Sequence, residues 1–186
     1  ATMPWKKFAA ATILCTLSVA LHGSPAEPDL RIAVNSTTIE SFPVFAAGDA
    51  LGPRIQLVPT PNGRSAMAQL VGGAVDAATG SETQALLNSV SEPSIRIVLT
   101  LAECRYRIIA RRSAGIRRVA DLRGKAVAVT LNTSSHYYLA GMLQKANLRE
   151  SDVRLTALEG QDMPAALELR KVDAVSIWEP HAHNSL

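Results

Sequence analysis

The stretch AMAQLVGGAVDAATGSE, residues 66–82, has a counterpart in MPAALELRKVDAVSIWEP, residues 163–180. Each places the tripeptide Val-Asp-Ala at the exit of a helical pattern, at Val75-Asp76-Ala77 and at Val172-Asp173-Ala174. Counting back from the aspartates, Leu70 aligns with Leu167 and Ala68 with Ala165, all at an offset of 97 residues. That spacing is too wide for a solenoid repeat and suits two lobes built on one plan. In each copy a helix runs into a short apolar strand that ends in polar or aromatic residues. Open α/β sheets bind ligands beyond strand ends of this kind, so two such ends facing one another make a cleft.

Working outward, strands and helices alternate along the chain. Strands are expected over 30–34, 55–58, 75–79, 95–99 and 106–110, and again over 126–130, 153–155 and 172–177. Helices are expected from Ser41 to Leu51, after Asn62 or Ser65, after Gly80-Ser81-Glu82 with Leu86, Leu87 and Val90, from His136 to Ala146, and after Asp162. Gly52-Pro53 ends the first of these, and Pro164 sits in a first turn where a missing N–H is harmless. Such alternation predicts mostly parallel sheets with helices on both faces. The expected division is residues 1–26 as a leader, 27–110 as the first lobe and 111–186 as the second.

The leader reading rests on Lys6-Lys7, the apolar run Phe8 to Leu21, and small residues up to a cleavage point after Ala26. This is the pattern of a secretory signal, and the run is shorter than the ~20 residues a membrane span requires. It places the protein outside the cytoplasm, in the periplasm or an equivalent compartment. Without Lys6 and Lys7, 17 basic side chains face 16 acidic ones, a net charge of +1. No basic stripe is left to bind nucleic acid. Cys104 is the one cysteine beyond the leader, so the exported chain forms no internal disulfide.

The loop Asn132-Thr133-Ser134-Ser135-His136 lies between a strand and a helix. Its hydroxyls and N–H groups gather where the helix dipole favours an anion. An ordinary N-cap uses the same residue types, and the two readings are compatible. Trp178-Glu179 follows the second Val-Asp-Ala strand, where the indole forms either an apolar wall or a structural plug, and Glu179 can accept from an ammonium group. Gly80-Ser81-Glu82 holds the matching place in the first lobe, and Ser36, Thr37 and Thr38 end the first strand. His136, and the pair His181 and His183, lack the companions a metal site needs. No phosphate loop, nucleophile elbow or spaced carboxylate pair occurs, so neither cofactor nor metal is expected.

The runs VADLRGKAVAV, NTSSHYYLAGMLQKANL and KVDAVSIWEP, with FPVFAAGDALG and IQLVPTPNGRSAMAQLVGGAVDAATGSE before them, resemble the nitrate/sulfonate/taurine-type periplasmic binding proteins of ABC importers. The resemblance spans Leu30 to Pro180. It implies two α/β lobes of the periplasmic-binding-protein kind, closing on a small solute without catalysis, as a monomer that meets a permease and ATPase complex. Carried over, it forms the cleft from Ser36, Thr37, Thr38, Gly80, Ser81, Glu82, Thr133, Ser134, Ser135, His136, Trp178 and Glu179, with Phe42 facing the solute. Donors would be Ser36, Thr37, Ser81, Ser134 and Ser135. The solute implied is a small oxoanion or zwitterion such as an alkanesulfonate, taurine or nitrate. Without Lys or Arg in these loops, N–H and hydroxyl groups would hold it. Family members continue well past the equivalent of Leu186, so the C-terminal part of the second lobe is expected to be missing. The alternative is a same-fold enzyme of pyrimidine-precursor or menaquinone biosynthesis. The leader argues against it, because those enzymes are cytosolic.

Overall fold

The computed structural model describes residues 28–38 and 41–186. The leader expected over 1–26 lies outside the described residues. Among the described residues, no helix is long and apolar enough to cross a membrane.

Among the described residues, seven strands form two sheets. The first sheet contains β1 (Leu30–Asn35), β2 (Ile55–Thr60) and β3 (Ala77–Ala78), all parallel, in the order β2-β1-β3. The second contains β4 (Arg107–Ala110), β5 (Ala126–Val129), β6 (Arg154–Ala157) and β7 (Ala174–Ile177), in the order β4-β7-β5-β6. Strands β5, β6 and β7 run parallel, while β4 runs antiparallel to β7. Helices α1 (Phe42–Leu51), α2 (Gly63–Val71) and α3 (Glu82–Ser89) accompany the first sheet; α4 (Ser134–Lys145) and α5 (Met163–Glu168) accompany the second. With β4 set aside, both sheets have one topology: the first strand of each unit lies between its second and its third. The 97-residue offset therefore marks a repeated β-α-β-α-β unit.

The repeated aspartate has the same task in both copies. Asp76 Oδ2 accepts the backbone N–H of Arg31 at 2.8 Å, and Asp173 Oδ2 accepts that of Ala126 at 2.9 Å. In return, the Asp76 N–H donates to Arg31 O at 2.9 Å, and the Asp173 N–H to Ala126 O at 2.8 Å. Each aspartate thus pins the start of the central strand of its sheet, while Val75 and Val172 are buried beneath. The preceding helix ends also coincide bond for bond. Gly72 N donates to Ala68 O, Gly73 N to Leu70 O and Ala74 N to Gln69 O; Leu169, Arg170 and Lys171 donate to Ala165, Leu167 and Ala166. This closure requires one left-handed residue, and Gly73 (φ 71°) and Arg170 (φ 58°) supply it at equivalent places.

Packing is unequal between the halves. In β5, Val127 and Val129 turn towards Leu139 and Leu143 of α4, while Ala128 turns the other way, towards Met163 and Leu167 of α5. The second sheet is consequently covered by apolar clusters on both faces, as parallel strands require. Among the described residues, the first sheet has one small cluster, Ala33, Ala66 and Val75 with Val58, Leu70 and Ala78 against it. Helix α1 contributes no buried side chain, but approaches β2 so closely that a Cβ on Gly48 would meet Leu57 Cδ1 at 2.7 Å.

Two expectations are corrected, and one helix shows an unforeseen face. Residues 95–99 form no strand; Ile97, Val98 and Leu99 are exposed, because apolar alternation needs a partner strand and a covered face to become a sheet. Leu86, Leu87 and Val90 lie on or beside α3 as expected, yet they point outward while Gln84 and Ala85 are buried. Strand β4, placed before the division at 110/111, pairs with β7 and belongs to the second sheet. The final strand in the pattern of a lobe is here a long-range antiparallel partner, which local alternation does not reveal.

Candidate ligand cleft

Between the two sheets lies a cavity of about 1230 Å³. Its walls come from the loops after β1, β2 and β3, the segment between α3 and β4 with Arg96 in it, the loops after β5 and β6, and residues at the end of β7. All three strand ends of one repeat unit therefore face those of the other.

Helices α2, α3 and α4 begin at this cavity. Helix α2 starts after Asn62, whose Oδ1 accepts the Ser65 N–H at 2.8 Å. Helix α3 starts after Ser81, whose Oγ accepts the Gln84 N–H at 3.4 Å. Helix α4 starts after Thr133, which makes no side-chain cap. The first N–H groups of a helix have no partner inside it. Those of Gly63 and Arg64, of Glu82, and of Ser134 and Ser135 belong to residues lining the cavity. Three dipole-positive ends around one space favour a negative or strongly accepting group.

The hydroxyls expected as donors are largely engaged in fixing these loops. Ser134 Oγ donates to Thr83 Oγ1 at 2.7 Å, from one unit to the other. Thr133 Oγ1 donates to Thr130 O at 2.6 Å and lies 3.0 Å from Ser135 Oγ. Thr37 Oγ1 donates to Asn35 Oδ1 at 2.9 Å. These groups shape the cleft, and the backbone N–H groups are the donors left over.

Of the residues singled out in the sequence, Thr37, Thr38, Gly80, Ser81, Glu82, Thr133, Ser134, Ser135 and Trp178 line the cavity. Four do not. Ser36 donates both its N–H and its hydroxyl to Thr60 O, at 3.0 and 2.9 Å, and with exposed Phe42 it borders a separate shallow recess. His136 turns back into its own helix region; its Nδ1 accepts the Asn132 N–H at 3.2 Å and its Nε2 lies 3.2 Å from Glu150 Oε1, without hydrogen-bond geometry. Glu179 pairs with Arg107 at 3.4 Å and accepts the His183 N–H at 3.0 Å, so its carboxylate is committed away from the cavity.

A model of the family described as "NMT1/THI5 like" matches residues 52–184, from the end of α1 to the last turn. The chain belongs to the NMT1/THI5-like family. A putative aliphatic sulfonates-binding protein of Escherichia coli K12 is 38% identical over 74 residues, which cover 40% of this chain and 23% of that protein. The alkanesulfonate-binding protein SsuA of Xanthomonas axonopodis pv. citri, solved bound to MOPS, is 25% identical with a TM-score of 0.67, covering 83% of this chain and 56% of that one. The periplasmic aliphatic sulphonate binding protein SsuA of Escherichia coli is 26% identical with a TM-score of 0.61, covering 82% and 52%. The periplasmic-binding-protein fold is thereby shown, and the chain spans about half the length of these solved relatives.

In this NMT1/THI5-like chain the cleft also contains residues that sequence reasoning missed. Arg64 lines it from the first turn of α2, which corrects the expectation of a cleft without Lys or Arg. Its Nη2 lies 3.2 Å from Glu159 Oε1 on the opposite side. Buried Gln84 reaches across as well, donating from Nε2 to Asn132 O. Trp178 stands edge-on to His181, ring centroids 5.8 Å apart at 83°, and packs on Gly160. The signal for Arg64 and Glu159 was present: both follow the second strand of a repeat unit, a position that the Val-Asp-Ala alignment does not reach. Among the described residues, no group of three or more His, Cys, Asp or Glu is placed to hold a metal ion.

Proposed function

We propose that this chain is the solute-binding part of an extracytoplasmic component of an ABC importer, taking a small oxoanion or zwitterion such as an alkanesulfonate, taurine or nitrate without chemical change. The observation that carries this reading is the convergence of three helix N-termini on one cavity, with Trp178 beside them. An oxoanion head group accepts from several N–H groups at once, and an alkyl tail lies against an indole face. The similarity to proteins named for sulfonate binding supports the same class of solute. A place outside the cytoplasm, delivery to a permease and ATPase complex at the inner membrane, and action as a monomer that closes by hinge motion belong to this proposal.

Thermal unfolding with ethanesulfonate, taurine, nitrate, bicarbonate and a hydroxymethyl-pyrimidine tests it. Ethanesulfonate or taurine at about 100 times its Kd is expected to add about 2.7 kcal/mol of stability and to be recovered unchanged. Stabilisation by the pyrimidine alone would overturn the oxoanion reading, and turnover of any bound compound would overturn the binding reading.

A further inference from the structure

Arg64 and Glu159 occupy equivalent loops of the two repeat units. Arg64 follows β2 by way of Pro61-Asn62-Gly63, and Glu159 follows β6 by way of Leu158. Their contact, Nη2 to Oε1 at 3.2 Å, spans 95 residues of sequence and joins the two walls of the cleft. Both side chains are about half exposed, and both residues line the cavity. Arg64 also belongs to the first turn of α2, so its guanidinium and a helix N-terminus serve the same space.

We infer that Arg64 selects for an anionic solute and that Glu159 is the internal carboxylate with which that solute competes. The inference rests on the binding reading above and deepens it. One oxygen of Glu159 meets one guanidinium nitrogen, whereas a planar guanidinium offers a fork that an oxoanion can occupy with two oxygens. A half-exposed pair is worth little, so its exchange for a bidentate partner beside a helix N-terminus is downhill. With no anion present, Glu159 neutralises Arg64 and links the walls. When an anion enters, Arg64 turns to it, and the Glu159 carboxylate is left as a nearby like charge that weakens binding. Selectivity for anions follows, because a neutral solute gains little from the guanidinium charge that draws an oxoanion to Arg64.

Isothermal titration with ethanesulfonate and with its neutral analogue ethyl methyl sulfone tests the inference on the whole chain. Glu159→Gln is expected to bind ethanesulfonate about fivefold more tightly, the factor for removing one like charge about 4 Å away in water-like surroundings. Arg64→Ala is expected to bind it more weakly than the wild type, and the double variant more weakly than Glu159→Gln alone. Arg64→Lys, which keeps the charge and loses the fork, should fall between. Sulfone binding should be unaffected by Glu159→Gln. Unchanged or weaker ethanesulfonate binding by Glu159→Gln would overturn the inference while leaving the sulfonate reading in place. If ethanesulfonate fails with every variant but nitrate shows the pattern above, the sulfonate assignment falls and the role of Arg64 stands. If neither anion binds the wild type or Glu159→Gln, the inference is overturned along with the anion reading. The substituted side chains are half exposed, and circular dichroism checks that each variant is folded.

Discussion

Replacing Asp173 by Ala tests whether the repeated tripeptide is a structural clamp. Asp173 Oδ2 accepts the Ala126 N–H at 2.9 Å, and Oδ1 accepts Arg111 Nη2 at 2.6 Å. The substitution removes the acceptor of a strand-start N–H and of a guanidinium together. The side chains of Arg111 and Asp173 are 18% and 20% exposed, so water replaces the lost partner only in part. A hydrogen bond to a charged group is worth about 1.5–3 kcal/mol, and breaking a buried pair costs about 3–5 kcal/mol. Arg111 retains Val172 O at 2.8 Å and Ser113 Oγ at 2.9 Å, which reduces the charge penalty. Asp173→Ala is therefore expected to lose about 3 kcal/mol. The equivalent Asp76→Ala removes the bond from Arg31 N, but the ion pair there is 3.6 Å long and its side chains are 41% and 47% exposed. A pair of that kind adds at most about 1 kcal/mol, so the loss should be about 1–1.5 kcal/mol. Urea unfolding followed by circular dichroism measures both, with Asp173→Asn between them because it keeps an acceptor and loses the charge. Equal losses for the two Ala variants, or a loss below about 1 kcal/mol at Asp173, would refute the reasoning.

Arg170 holds a left-handed conformation where the other unit has Gly73, so Arg170→Gly is expected to be neutral to stabilising by about 1 kcal/mol and Gly73→Ala destabilising by about 1 kcal/mol in the same urea assay. Gly160→Ala would bring a Cβ within 2.9 Å of Trp178 Cζ2 and 3.1 Å of His181 Cδ2. The indole must shift, so near-ultraviolet circular dichroism should change and stability should fall by about 1–3 kcal/mol. The Arg117 N–H holds the Asp121 carboxyl below its ordinary 3.8, against an opposing effect of burial and with the N–H and guanidinium of Arg118 adding to it. The Arg149 N–H, again opposed by burial and helped by Arg123, does the same for Asp152. Depressed carboxyl values stabilise the fold above the unfolded value and lose that stabilisation as pH falls through the folded one. The Asp121→Asn, Asp152→Asn double variant should therefore show a shallower fall in Tm between about pH 4 and pH 2 than the wild type.

Much of this architecture is legible in the residues because the repeated unit is local. A βαβ unit needs only an apolar run, a cap and a turn in order, and Asn62, Ser81 and Pro164 supply the caps and first turns where the pattern demands them. The tripeptide carries the repeat because its aspartate makes a bond that few other residues could make. The equivalence of Gly73 and Arg170 is hidden, since one left-handed position is filled by the usual residue and the other by an unusual one. Strand β4 is hidden for a different reason: its pairing with β7 is made over a long stretch of chain and runs against the local alternation. Ile97, Val98 and Leu99 mislead because strand propensity describes a half-buried surface, and theirs is uncovered. In the cleft, residues at the ends of the first and third strands were found by position alone. Glu179 and His136 share those loops, but their side chains turn to Arg107 and to Asn132 and Glu150, a matter of direction that spacing cannot supply.

The unequal packing of the two units bears on how the cleft works. Among the described residues, the second sheet is sandwiched by two apolar clusters, whereas the first has three buried cluster residues and a helix, α1, with none. Regions with few buried apolar contacts open at lower free energy than regions with many, so the first unit is the softer wall. Two of the three helix starts at the cavity, those of α2 and α3, stand on that soft unit, and the third, of α4, stands on the firm one. The polar links between them, Ser134 to Thr83, Gln84 to Asn132 and Arg64 to Glu159, all join soft to firm. A solute that bonds to N–H groups on both sides adds to these links and to nothing in the unfolded chain. Its binding energy is consequently spent on the unit with least packing of its own, and occupancy of the cleft and order in the first sheet rise together.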